Sequence, residues 1–153
     1  FQLLREVERV NLDQVNIFLR KLHHAIWVLK NKTIAVWGLA FKANTDDLRF
    51  SPAVAVVERL VEEGTRVRAY DPKAMEGARA ELSDTVTYCS SALEAAEGAD
   101  AVLLLTDWPE FRSLDFAALH KVMARPLVLD GRNLLDSEAL RSAGFEYLSM
   151  GKP

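Results

Sequence analysis

Two patterns of hydrophobic side chains divide the chain near residue 32. Before it, apolar residues recur every three or four positions in two stripes without glycine or proline, which predicts one long helix over residues 1–31, roughly 40 Å in length. Two stripes predict burial against more than one neighbour, and burial on a single core is the alternative. Because no capping residue precedes the pattern, we expect a helix that continues from a longer chain. The stripes consist of Leu3, Val7, Val10, Phe18, Leu22, Ala25 and Leu29, with Gln14 their one polar member, and of Leu12, Val15, Leu19 and Ile26.

Residues 32–153 alternate short apolar runs with amphipathic segments, which predicts a second region of α/β class. The expected fold is a Rossmann-like, doubly wound, mainly parallel sheet of about six strands, in the order 3-2-1-4-5-6, preceded by the long helix. One helix should begin at Pro52, with Ser51 as its N-cap, and end before Gly64. The predicted strands cover residues 33–37, 66–70, 86–88, 101–105, 127–129 and 145–148, and the other helices residues 73–82, 92–96, 115–123 and 137–142.

Composition and charge exclude several classes of protein. Half of the 153 residues are hydrophobic, 27% are charged and the net charge is −3, which favours one globular core over disorder, nucleic-acid binding or a membrane surface. The apolar runs are too short to span a bilayer. A single cysteine forms no internal disulfide, so the cytoplasm is the expected location.

The loop at residues 38–52 departs from the usual dinucleotide-binding pattern. A glycine fingerprint would require glycine at positions 38, 40 and 43, but Ala40 and Ala43 replace the last two, and a methyl group at position 40 hinders close approach of a pyrophosphate. Lys42 and Arg49 supply positive charges suited to a phosphate. We interpret the loop as one that holds a phosphorylated ligand with its side chains. A domain that has lost its ligand, with both cations solvated, is equally consistent with the pattern.

Two further polar groups follow predicted strands, at residues 106–108 and 130–133. In such sheets ligands bind beyond the carboxyl ends of the strands, so Lys42 and Arg132 are candidates to face one anion together. Alternatively, Arg132 pairs structurally with Asp130 or Asp136. Trp108 is expected at the edge of the core, with stacking on a ligand ring as the alternative.

We predict no nucleophile and no metal site. The single cysteine, Cys89, has no lysine, arginine or histidine beside it to lower its pKa, so we expect an inert core thiol. The three histidines are not spaced as metal ligands.

Several motifs resemble one family. The run from Gly38 to Pro52 is similar to the signature of the UDP-glucose/GDP-mannose dehydrogenase family. The segments 69–72, 106–111 and 130–133 fall in that family's order and spacing, and the helix with Val10, Asn11 and Gln14 resembles its central helix. The resemblance covers nearly the whole chain.

The resemblance implies the central helix and the UDP-binding half of an NAD-dependent enzyme, most like the branch that oxidises UDP-glucose to UDP-glucuronate in two steps. It implies that Phe41, Lys42 and Arg132 bind the substrate, that Arg49 lies near the cofactor, and that helix 1–31 forms a homodimer. NAD and the catalytic cysteine would belong mainly to an N-terminal half that this sequence lacks, so the chain alone should be inactive. The alternatives are the same half of a GDP-mannose or UDP-N-acetylmannosamine dehydrogenase, and a non-catalytic dimerisation or nucleotide-binding module.

Overall fold

The computed structural model describes residues 2–150, apart from the side chains of residues 4 and 7–11. The predicted domain end at residue 153 and the stripe side chains of Val7 and Val10 therefore lie outside the described part. The strands are β1 (Thr33–Trp37), β2 (Arg66–Tyr70), β3 (Thr87–Tyr88), β4 (Ala101–Leu104), β5 (Leu127–Asp130) and β6 (Glu146–Ser149). The helices are α1 (Gln2–Ala25), α2 (Pro52–Glu62), α3 (Met75–Glu81), α4 (Ala92–Ala95), α5 (Phe116–Val122) and α6 (Ser137–Ser142), with a 3-10 turn at Pro109–Ser113.

The strands form one parallel sheet in the order β3-β2-β1-β4-β5-β6, which confirms the predicted α/β topology. β1 lies at the centre and pairs with both β2 and β4, with Val36 opposite Ala69 on one side and Leu103 on the other. From β1 the chain adds β2 and β3 on one side, and it then crosses over to add β4, β5 and β6 on the other side of β1. Between β1 and β4 lies the switch point, where a doubly wound sheet opens a crevice at its carboxyl edge.

Helices cover both faces of the sheet. Successive side chains of a strand point to opposite sides, and the strands here carry apolar side chains on both sides. Ile34 and Val36 of β1 join the core that contains α1 and α2, whereas Ala35 and Trp37 join the core that contains α4, α5 and α6. Burial on both faces explains why β4 and the first three residues of β5 read as continuous apolar runs. Within residues 2–150, no helix is long and apolar enough to cross a membrane.

The first helix ends at Ala25, so the prediction of a helix through residue 31 is wrong at its C-terminal end. Ile26 and Leu29 continue the apolar pattern because they are buried in the same core without being helical. Asn31 then has a positive φ of 66°, a conformation that ends regular structure. The guanidinium of Arg125 donates to the Ala25 carbonyl at 3.1 Å and so satisfies an acceptor at the helix end.

The second helix begins and ends as predicted, with Ser51 as its N-cap residue followed by Pro52, but the Ser51 side chain makes no capping hydrogen bond. Gly64 has a φ of 80°, and the amide of Thr65 donates to the Leu60 carbonyl at 3.1 Å, as in a Schellman motif. Ser51 precedes Pro52, yet its hydroxyl donates to the Leu39 carbonyl at 2.6 Å and caps nothing. The expectation that the Ser51 side chain caps α2 is therefore wrong, and this hydroxyl closes the loop before the helix instead.

Candidate functional site

A cleft of about 300 Å³ opens at the carboxyl edge of the sheet, beside the switch point. It lies between α1, the start of α2 and the loops that follow β1, β4 and β5. Because these strands are parallel, their carboxyl ends bring side chains distant in sequence to one edge. The lining residues are Gln14, Val15, Phe18, Phe41, Pro52, Val56, Leu105, Gly131, Arg132 and Met150.

The loop between β1 and α2 brings Phe41 to this cleft. Phe41 is 38% exposed, and its amide donates to the Asp47 carbonyl at 2.8 Å, which turns the loop back on itself. Lys42 follows it and is exposed, but it does not line the cleft. The structure thus brings Phe41 and Arg132 together, whereas the joint presentation of Lys42 and Arg132 to one anion stays a prediction.

Gly38 permits the sharp exit of the chain from β1. Its φ is 95°, and a Cβ built there would lie 2.4 Å from the Thr106 Cβ and 2.6 Å from the Thr106 amide nitrogen. Only glycine tolerates both conditions. The close approach lets the Thr106 hydroxyl donate to the Ala40 carbonyl at 2.7 Å, which ties the loop after β1 to the end of β4.

The carboxylate of Asp71, which directly follows β2, holds the loop after β1 through hydrogen bonds to its backbone. Asp71 is fully buried, and its two oxygens accept hydrogen bonds from several neighbouring groups. The donors are the amides of Leu39 (2.8 Å), Ala40 (3.0 Å), Lys73 (2.8 Å) and Ala74 (2.8 Å) and the indole Nε1 of Trp108 (3.2 Å). Trp108 is 5% exposed, so the expectation of a tryptophan at the edge of the core is confirmed.

Arg132 reaches the cleft from the loop after β5. The buried carboxylate of Asp130 accepts from the Arg132 amide at 3.0 Å and from the Tyr147 hydroxyl at 2.8 Å, and so fixes the backbone of the loop. Burial, with Asp130 alongside, raises the pKa of Tyr147, which therefore stays a neutral donor. The Arg132 guanidinium lies 3.6 Å from the Asp107 carboxylate. The interpretation of a side-chain pair with Asp130 or Asp136 is therefore wrong, because the observed partner follows β4.

Arg49 does not share this cleft. It borders a separate depression with Gly77 and Glu81 beside α3. Its guanidinium holds the Asp47 carboxylate through Nε and Nη2, both at 3.0 Å, although the arginine side chain is 82% exposed. These hydrogen bonds lower the pKa of Asp47 and raise that of Arg49. The structure gives Arg49 a local partner, and the cofactor contact implied by the resemblance stays a prediction.

Eight of the ten lining residues were not among the predicted site residues, and Gln14 and Gly131 are two of these. Gln14 borders the cleft from α1, and the signal for it was a polar side chain inside an apolar stripe. Gly131 forms part of the floor, where a Cβ would lie 3.0 Å from the Leu104 carbonyl and 3.2 Å from the Phe18 ring. That close approach depends on α1 lying over β5, which no local pattern reveals.

The cleft carries a charge suited to an anion and no group for covalent catalysis. Arg132 supplies a guanidinium fork, and the N-terminus of α2, at Pro52, borders the same space with its positive dipole end. Cys89 is 2% exposed, and burial raises the pKa of its thiol, as expected for an inert core cysteine. Within the described residues, no cluster of three or more His, Cys, Asp or Glu side chains is placed to hold a metal.

Fold and cleft together define a Rossmann-like domain with an open cleft at its switch point. Residues 35–137 match the family model described as the UDP-glucose/GDP-mannose dehydrogenase family, UDP binding domain. The chain is 40% identical over 152 residues to the UDP-glucose 6-dehydrogenase YwqF of Bacillus subtilis, covering 99% of this chain and 34% of that protein. A UDP-glucose 6-dehydrogenase of Pseudomonas aeruginosa is 41% identical over 160 residues, covering 99% of this chain and 35% of that protein.

Solved structures give the same relationship. A UDP-glucose dehydrogenase of Pyrobaculum islandicum superposes with a TM-score of 0.77 and 36% identity over 92% of this chain and 30% of that chain. A UDP-D-ManNAc dehydrogenase of Pyrococcus horikoshii gives 0.72 and 32% over 94% of this chain and 31% of that chain. The chain therefore belongs to the UDP-glucose/GDP-mannose dehydrogenase family and contains its UDP-binding domain. It spans about a third of the length of the curated relatives that it matches.

Proposed function

We propose that this chain holds the UDP part of UDP-glucose for an NAD-dependent UDP-glucose 6-dehydrogenase, which forms UDP-glucuronate in two successive oxidations. The observation that carries the proposal is the meeting of Phe41 and Arg132, from loops far apart in sequence, in one cleft at the switch point. The family match to a UDP-binding domain and the similarity to UDP-glucose 6-dehydrogenases support the choice of ligand.

Each lining group has a role in this proposal. Arg132 holds the diphosphate, because a guanidinium offers paired donors to phosphate oxygens. The positive end of α2 adds to the attraction for the same anion. Phe41 provides an apolar wall at the mouth for a ring of the ligand, and the amide of Gln14 is available for its polar groups. Lys42, exposed next to Phe41, adds positive charge at the entrance.

Calorimetric titration of UDP and UDP-glucose into the 153-residue chain tests these assignments. A charge-assisted hydrogen bond contributes about 1.5–3 kcal/mol, so Arg132→Ala should weaken binding about tenfold or more, and Lys42→Ala should weaken it less. Arg66→Ala is the matched control, because this exposed arginine lies at the amino end of β2, on the opposite edge of the sheet. Equal affinities for the wild type and the Arg132 variant would eliminate the proposed site.

The proposed enzyme also needs NAD and a nucleophile. The residues described in this chain provide neither a phosphate-binding turn for NAD nor an accessible cysteine. Its dinucleotide-type turn has Ala40 buried in it, and the amides of Leu39 and Ala40 already bind Asp71. Cys89 lies in the core. We therefore expect the purified chain to form no NADH from UDP-glucose and NAD, as followed by absorbance. NADH formation above that of a heat-denatured sample would refute this expectation.

A second candidate ligand is UDP-N-acetylmannosamine, because the superposition on a UDP-D-ManNAc dehydrogenase is nearly as close as that on a UDP-glucose dehydrogenase. Both ligands share the UDP part, so the proposed role of Arg132 is the same for both. Titration with UDP, UDP-glucose, UDP-N-acetylmannosamine and GDP-mannose separates the candidates. Tighter binding of GDP-mannose than of any UDP compound would contradict a UDP site.

The first helix supports a proposal of homodimerisation. Its C-terminal half is buried on the sheet through Phe18 and Leu22, whereas Leu3 and Leu12 are 76% and 55% exposed in the half that precedes it. Exposed apolar side chains on one helix are typical of an interface. We expect a dimer in sedimentation at high micromolar concentration, and a Leu12→Glu variant should shift it to monomer. A wild type that sediments as a monomer would contradict this interface.

A further inference from the structure

The carboxylate of Asp71 accepts hydrogen bonds from the amides of the turn after β1, the turn that carries the phosphate-binding fingerprint in a dinucleotide-binding Rossmann domain. In a dinucleotide site, the amides of the turn after the first strand face the pyrophosphate, and an acidic residue further along the chain binds a ribose hydroxyl. Here the amides of Leu39 and Ala40 donate to Asp71 Oδ2 at 2.8 and 3.0 Å. Asp71, the acidic residue that follows β2, is thus buried, and its carboxylate binds the turn amides.

We infer that Asp71 is an internal anion that takes the place of a dinucleotide phosphate, closes this turn to NAD and fixes the backbone that carries Phe41. Asp71 is thus a positioning residue. The second part of the inference, its effect on ligand binding, rests on the proposed function. The first part, the internal anion, does not.

The hydrogen bonds around Asp71 require a side chain that accepts through both of its terminal atoms. Its partners named above are all donors, four backbone amides and one indole, and they are directed at both oxygens of a side chain with no exposure. An ionised carboxylate only accepts, whereas an amide side chain would turn an N–H group toward some of these donors. One buried charge therefore joins the loops that follow β1, β2 and β4.

The backbone groups of Ala40 support the same conclusion. Ala40 is 1% exposed, and its carbonyl accepts from the Thr106 hydroxyl while its amide donates to Asp71. Both polar groups of the residue before Phe41 are thus committed to neighbours inside the protein. The turn has no amide at positions 39 or 40 left for a bound phosphate, and its backbone is held independently of any ligand.

Rescue with formate tests the internal anion. Asp71→Ala should lower the Tm by roughly 5–10 °C, and formate should restore about half of the loss because it replaces the missing carboxylate. Sodium chloride at equal ionic strength should restore little. Asp136→Ala is the control, because Asp136 accepts from two amides at the exposed start of α6, where removal leaves no buried space. An equal response to formate in the wild type, the control and Asp71→Ala would overturn the inference.

Asp71→Asn provides a second test that does not depend on the alanine variant folding. It keeps the side-chain volume, so formate should not raise its Tm. Hydrogen exchange of the Leu39 and Ala40 amides should accelerate at least about tenfold, because both amides face a poorer acceptor, while the Leu105 amide, bonded to the Trp37 carbonyl, stays protected. Unchanged protection at positions 39 and 40 would overturn the positioning role.

UDP titration separates the two parts of the inference. If the wild type binds UDP, Asp71→Asn should bind it about tenfold more weakly, and equal affinity would remove the link to the ligand cleft. If the wild type does not bind UDP, the proposed function fails. The formate and exchange results then still decide whether Asp71 is an internal anion.

Discussion

Gly38→Ala should destabilise the fold severely, because two separate costs fall on one methyl group. The first is conformational: the φ of 95° costs an L-residue about 1–2 kcal/mol. The second is steric, since the new Cβ would lie 2.6 Å from the backbone nitrogen of Thr106, which no rotamer change relieves. Overpacking of this kind costs about 1–3 kcal/mol. Displacing Thr106 also removes its hydrogen bond to Ala40, worth about 1 kcal/mol.

Together these terms give a loss of about 3–6 kcal/mol, a large fraction of the stability of a typical domain. Gly98→Ala is the matched control, because Gly98 also has a positive φ, 69°, but no atom lies within 4 Å of the position that a Cβ would take there. It should lose only the conformational cost of about 1–2 kcal/mol.

Urea unfolding followed by tryptophan fluorescence measures both variants, since Trp37 and Trp108 are buried and report on loss of the core. We expect Gly38→Ala to lose at least about 2 kcal/mol more than Gly98→Ala. Equal losses would show that the contact with Thr106 relaxes without cost, and the steric term would then be refuted.

Three further predictions concern titration, reactivity and a surface pair. Burial, with Glu110 alongside, raises the pKa of Tyr70 from 10.0 to about 12, so its contribution to stability is complete below pH 10 and is lost as the pH rises to about 12. Tyr70→Phe should therefore lose less stability than the wild type over that interval in urea unfolding, and parallel losses would argue against the assignment. Cys89 should react with a thiol reagent only as fast as the chain opens, because its thiol is buried and its pKa is raised; rapid modification of the native chain would refute this. Arg49→Ala should leave the urea midpoint unchanged and should change the UDP affinity by less than about a factor of two. The reason is that its pair with Asp47 is exposed and lies outside the cleft. A larger effect on affinity would place Arg49 in the site.

Sequence patterns predicted the sheet well because its strands are short, buried runs separated by glycine and proline. β1, β2 and α6 have their predicted bounds, and the strand order follows from the rule for doubly wound folds. α3, α4 and α5 differ from their predicted bounds by one or two residues, because local signals are weak at helix ends, whereas α1 ends six residues early. The 3-10 turn that begins at Pro109 was not predicted, although proline at its start is a recognisable signal.

The errors have a common physical cause, since each depends on contacts between distant parts of the chain. Leu29 kept the helical spacing because the core, and not the helix, requires an apolar group there. Ser51 has the identity of an N-cap, but the Leu39 carbonyl competes for its hydroxyl. Likewise, Asp107 became the partner of Arg132 because β4 and β5 are neighbours in the sheet. Residue identity predicted the chemistry of these groups, but not their partners.

Two buried strand-end carboxylates hold the loop backbones independently of the side chains that are proposed to bind the ligand. Asp71 and Asp130 are buried and hold the backbones of their loops, while Phe41, Lys42 and Arg132 are exposed. Exchanging the exposed side chains therefore leaves these backbone hydrogen bonds intact. A library randomised at these three positions should therefore yield mostly folded variants, and under the proposed function those variants should differ in their affinity for sugar nucleotides.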